Sequence, residues 1–232
     1  MSDKKRVERV QLGPMERGKA VDVYAREFVC TAAGKVQGNL DSETADIKGA
    51  CKVDGNVTTM LLKIGGSMKV TGNVRAELIR AKGAFKVGGD VFANNLRVAG
   101  ATKVTGKIES SEEIFVQGVL KCESDIKAAR FNLQGAVDVA GTLTSKEFAA
   151  ELSGRSAIKI LESDKIAVKI RDKSNDSELI AKKIIGSEIL LEGTVAERVE
   201  GNRVTLGRGC QISEVKAKEL DVHRDSKVGK RI

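Results

Sequence analysis

The chain has 232 residues and a formal net charge of +8, with 24 glycines but one proline, one histidine and only 3% aromatic residues. No apolar run reaches the roughly 18 residues that a membrane-spanning helix needs, and the glycine-to-proline balance favours a chain that turns often while keeping its strand hydrogen bonds. Scarce aromatic side chains suggest a core too narrow for large rings, and the positive charge gives a general attraction to polyanions.

Residues 1–20 are polar and basic without a period, and they read as a flexible tail. The opening MSDKKRVERVQL lacks the apolar stretch of a secretory signal, so a cytoplasmic location is expected, with the inner membrane face as a peripheral site. Val21, Val23, Phe28 and Val29 then form an irregular first coil. If the chain polymerises, these four are the candidate contact at its N-terminal end.

From residue 34 a phrase recurs with a constant 17-residue step: KVQGNL, KVDGNV, KVTGNV, KVGGDV and KVTGKI. Its glycines are Gly38, Gly55, Gly72, Gly89 and Gly106; after a one-residue slip and a serine at 124, Gly141 restores the series. A second series runs through Gly49, Gly66, Gly83 and Gly100 with the same step. Between glycines the apolar residues alternate, as in Leu62/Ile64, Met68/Val70 and Val74/Ala76, which marks strands with one buried face. Three short strands and three corners make one triangular coil, with glycine at the corners because it tolerates positive φ. One coil cannot bury its inner residues alone; successive coils must stack in parallel, about 4.8 Å apart. The expected fold is therefore an all-β, single-stranded parallel β-solenoid over 21–154. Val36, Val53, Val70, Val87 and Val104 form one inner column, and Leu40, Val57, Val74, Val91 and Ile108 another.

Beyond residue 155 the rhythm loosens. Ile189/Leu191, Val204/Leu206 and Leu220/Val222 recur at successive 15- and 16-residue steps, so 155–232 reads as a second, less regular β-solenoid lobe.

Two basic ladders follow from the period. Lys35, Lys52, Lys69, Lys86 and Lys103 occupy one outward position, and Lys63, Arg80 and Arg97 another. Stacked like charges repel unless solvated or neutralised, so they are either a soluble outer face or a track for an acidic membrane surface or other polyanion. Nucleic acid fits least, because stacking aromatics are nearly absent. No cofactor, metal or small-molecule substrate is expected. Cys30, Cys51, Cys122 and Cys210 lack metal-ligand spacing and read as small buried residues. Neither GKVQGN nor IGGSMK completes a phosphate-binding loop. An acyltransferase-like enzyme would need a histidine base, and the lone His223, near Asp221 and Asp225, has no nucleophile tied to it and reads as a turn residue.

The corner phrases, as in KVTGNVRAEL and KVGGDVFANN, resemble those of the bactofilins, polymer-forming cytoskeletal proteins. The segment VEGNRVTLGRGCQISEVKAKELDVHRDSKVG at 199–229 is similar to longer, two-part members, so the resemblance spans roughly 34–229. It implies a right-handed parallel β-helix that assembles end to end into nucleotide-independent, non-polar filaments, often as a scaffold at the membrane. Its principal partner would be further copies of itself. The tail MSDKKRVERV departs from the apolar membrane-targeting start of many members.

Overall fold

The computed structural model describes residues 6–13, 18–171 and 177–232. Every regular element among them is a strand, and adjacent coils pair in parallel, so the expected parallel β-solenoid is observed. The chain divides into two compact units, Met1–Ser111 and Glu112–Ile232.

The first unit opens with β1 (Val7–Leu12), β2 (Lys19–Cys30) and β3 (Ala33–Ile47). It continues with β4 (Ala50–Val53), β5 (Val57–Ile64), β6 (Ser67–Val70), β7 (Val74–Ala81), β8 (Ala84–Val87), β9 (Val91–Val98) and β10 (Ala101–Val104). From β4 to β9 each coil is one four-residue strand and one eight-residue strand. In the longer strand the in–out alternation slips by one at Met60–Leu61 and Glu77–Leu78. That slip turns the chain without glycine and makes the third side.

The register carries the 17-residue period directly. Val53 pairs with Val70 and Val70 with Val87, while Val57 pairs with Val74 and Val74 with Val91. Both expected inner columns are buried along their whole length. At roughly 25 cal/mol per Å² of apolar surface removed from water, these columns are the main source of stability.

The strand β11 (Ile108–Val116) carries the chain across the boundary. The second unit continues with β12 (Val119–Cys122), β13 (Ile126–Lys127), β14 (Arg130–Leu133), β15 (Ala136–Leu152) and β16 (Ser156–Ile170). It ends with β17 (Leu179–Leu191), β18 (Thr194–Leu206), β19 (Gln211–Val222) and β20 (Lys227–Arg231). Ile189 pairs with Val204 and Val204 with Leu220, which are the 15- and 16-residue steps seen in the sequence. The boundary between the compact units lies in the stretch where the glycine period slips by one residue, between Gly100 and Gly118.

Three expectations need correction. Within the stretch read as a flexible tail, Val7–Leu12 form a strand that pairs in parallel with Ala25–Cys30. The core also accepts large rings: Phe28, Phe85, Phe131 and Phe148 are all buried. Phe131 and Phe148, in register on neighbouring coils, stack with centroids 5.6 Å apart.

The third concerns why corners use glycine. Among the described glycines only Gly38, Gly193 and Gly209 have positive φ. Elsewhere the requirement is close approach between coils. A Cβ on Gly83 would run into the backbone carbonyl of Gly66, and one on Gly72 into the Asn56 side-chain oxygen and the Gly55 carbonyl.

Candidate assembly ends and basic faces

The residue following each corner glycine has a structural role that the repeat phrase only hinted at. Asn56 N–H donates to Asn39 Oδ1 (2.9 Å), Asn73 N–H to Asn56 Oδ1 (2.8 Å), Asp90 N–H to Asn73 Oδ1 (2.8 Å) and Lys107 N–H to Asp90 Oδ1 (2.9 Å). Asp22 starts the series by accepting from Asn39 N–H at 2.8 Å. It does so from a left-handed backbone (φ 38°), beside the register slip between Val21 and Val23. In the second unit, Asp125 accepts from Thr142 N–H next to Gly141 in the same way (2.7 Å). Each side-chain oxygen, amide or carboxylate, stands in for a missing strand bond and fixes the corner of the next coil.

At the N-terminal end of the first unit, β1 covers only part of β2. Phe28 and Val29, two of the four candidate contact residues, lie in the stretch covered by β1 and are buried, with Val10 and Gln11 as their register partners. Among the described residues no strand pairs with Lys19–Tyr24 on the side that β1 leaves open. Val23 in this stretch is buried, but Val21 is 71% exposed. Of the four, then, only Val21 is presented at the surface. The start of β1 is pinned by Arg6, which lies 2.7 Å from the Asp41 carboxylate and 3.5 Å from that of Glu43, with its guanidinium 4.9 Å from the Tyr24 ring. Leu12 and Cys30 fill the space that a side chain on Gly34 would occupy.

At the far end of the second unit, β20 pairs with Gln211–Val215, and no described strand follows Ala217–Val222. Leu220 and Val222 are half-buried there, among charged neighbours such as Lys218, Glu219 and Asp221. Such charges discourage indiscriminate edge pairing.

The lysine ladder is in register, with Lys35 paired to Lys52, Lys52 to Lys69, Lys69 to Lys86 and Lys86 to Lys103. Lys19 adds a rung opposite Lys35 that the sequence concealed, because the step there is one residue shorter than the period. Asp54 bridges Lys35 (2.8 Å) and Lys52 (2.7 Å), and hydrogen bonds from both ammonium groups hold its carboxyl below the usual carboxylate range. Lys69 and Lys86 form no ion pair among the described residues and are exposed. The second ladder, Lys63–Arg80–Arg97, is also in register and exposed.

The remaining candidate chemistry is sparse. All four cysteines are reduced and buried. Cys30 and Cys51 share a thiol hydrogen bond; that contact and burial push the Cys51 thiol upward. His223 lies at the turn after β19, where its Nδ1 accepts from Asp225 N–H at 3.2 Å and sits 3.6 Å from the Asp225 carboxylate. Among the described residues no three His, Cys, Asp or Glu side chains cluster as metal ligands, and no helix is long and apolar enough to cross a membrane. No family model matches the chain, and neither a curated protein nor a solved structure is found to resemble it.

Proposed function

We propose that this protein is a self-assembling structural scaffold of the bactofilin kind, polymerising end to end without nucleotide in the cytoplasm. The observation that carries the reading is the outer edge of β2, where among the described residues β1 pairs only with Ala25–Cys30. Lys19–Tyr24 presents a strand edge, and Val21 stands 71% exposed beside it. A bare edge next to an apolar side chain is a template for a second chain. Like ends meeting there close a two-fold contact and leave the opposite ends free to propagate.

Negative-stain electron microscopy of the purified chain without nucleotide tests this, beside Val21→Arg. Filaments are expected for the wild type and short or single particles for the variant, with unchanged circular dichroism. Discrete particles of wild type across a wide range of concentration and salt would overturn the scaffold reading.

A second reading rests on the lysine ladder, whose exposed rungs Lys69 and Lys86 suit an acidic membrane surface. Each basic residue near such a surface contributes about 1 kcal/mol. Co-sedimentation with anionic vesicles should fall for Lys69→Glu/Lys86→Glu; equal sedimentation of variant and wild type would remove this role.

A further inference from the structure

The outer face of the second unit bears a charge pattern that neither reading above uses. On β15 it presents Glu147 and Ala149, on β16 Lys165 and Ala167, on β17 Glu188 and Leu190, and on β18 Arg203 and Thr205. Parallel register stacks these into two columns, one alternating acid and base on every coil, the other small or apolar. The alternation extends to Glu219 on β19, which Arg203 engages at 2.8 Å. On the other side of the apolar column Glu151 pairs with Lys169, and Glu192, on the next coil, accepts from Ile170 N–H at 3.2 Å. The columns bound a shallow recess of about 400 Å³, floored in part by Ala149, Ala167 and Leu190.

Alternation by coil makes the face complementary to itself in one orientation. A two-fold axis along the strand direction, midway between β16 and β17, keeps each column opposite its own copy but inverts the coil order. Lys165 then meets Glu188 of the second copy, Lys169 meets Glu192, Glu147 meets Arg203, and Leu190 meets Ala167. An axis along the stacking direction would instead set coil against like coil, lysine facing lysine. On the uniformly lysine-bearing ladder of the first unit, no orientation removes the repulsion.

We propose that this face is a lateral, antiparallel interface between two copies of the chain, with its two-fold axis between β16 and β17. The interface stands independently of end-to-end assembly. It would join molecules side by side, through charge pairs that fix orientation around the apolar column.

Sedimentation velocity at low salt tests it, using the full-length wild type, Lys165→Glu, Glu188→Lys and an equimolar mixture of the two variants. Each single variant replaces two attractive pairs across the axis with two repulsive ones, and should weaken side-by-side association about tenfold or more. In the mixture, the introduced glutamate of one variant faces the introduced lysine of the other while the native Glu188 and Lys165 still meet, so association should return. Ala167→Trp, an outward substitution at a half-buried position, should block association without altering the thermal melt. Electron microscopy separates this contact from the end contact: the variants should abolish paired filaments and leave single filaments of normal length. A wild type with no lateral association at tens of micromolar, variants that associate like wild type, or a mixture that fails to recover would each overturn the proposal.

Discussion

At the scale of single residues, the two corner types fail in different ways when altered. Gly83→Ala drives a methyl group into the backbone carbonyl of Gly66, which cannot swing aside. It should cost about 2 kcal/mol through overpacking. Asn73→Ala removes the acceptor for Asp90 N–H, but that corner is open to water, so the loss should be about 1 kcal/mol. Inside the coil, Val87→Asp would bury a carboxyl between Val70 and Val104 with no cation in reach, costing about 3 kcal/mol or more. Urea unfolding of the three variants should rank them Asn73→Ala, Gly83→Ala, Val87→Asp in increasing loss; any other order would mean that the coil interfaces are not carried by the inner columns. The glycine spacing was legible in the sequence, but its cause was not. A one-dimensional pattern shows where a side chain is forbidden, not whether backbone dihedrals or the neighbouring coil forbid it.

At the scale of elements, the four-residue strands and both inner columns were readable because alternation and a constant step coincide there. The strand β1 was not. VERVQL lacks the corner phrase, and its partner Ala25–Cys30 lies one residue beyond the regular step. Its one buried side chain, Leu12, lies with Cys30 in the space left by Gly34. The same strand explains the candidate contact at this end: Phe28 and Val29 look terminal in sequence and are interior because β1 lies over them. Lys19 escaped notice for a related reason, since the register slip beside Asp22 breaks the 17-residue count. On the lysine ladder, the ion pairs with Asp54 set a pH response. A carboxyl held below its ordinary value stabilises the fold above the unfolded-state pKa, and that contribution is lost as pH falls through the folded value. Protonation also releases Lys35 and Lys52. Asp54→Asn should therefore raise retention on an anionic resin at neutral pH. Wild-type retention should rise toward it only on acidification into or below the carboxylate range. Identical retention at both pH values would show that Asp54 does not mask the ladder.

At the scale of the whole molecule, the two units present different kinds of surface. The first carries rows of like charge, which keep copies apart unless an anionic partner intervenes. The second alternates charge on one face, which lets copies meet in one orientation. Deleting residues 1–13 removes β1, exposes Phe28 and Val29, and should convert the protein from ordered assemblies to irregular aggregates; size-exclusion chromatography with light scattering would show the change. Ordered filaments from the truncated chain would mean that β1 caps the end rather than shaping the contact.

The asparagine corner series makes the coils of the first unit interchangeable. Each coil offers its neighbour the same hook, from Asp22 through Asp90, and the neighbour meets it with the same N–H. Removing residues 57–73 would join Asn56 to Val74 and regenerate the phrase KVDGNV, with hooks still matched on both sides. The unit's length is thus a digital quantity, adjustable only in increments of about 4.8 Å. A gene encoding it could lengthen or shorten the unit by in-frame duplication or loss of a single repeat, leaving both ends untouched.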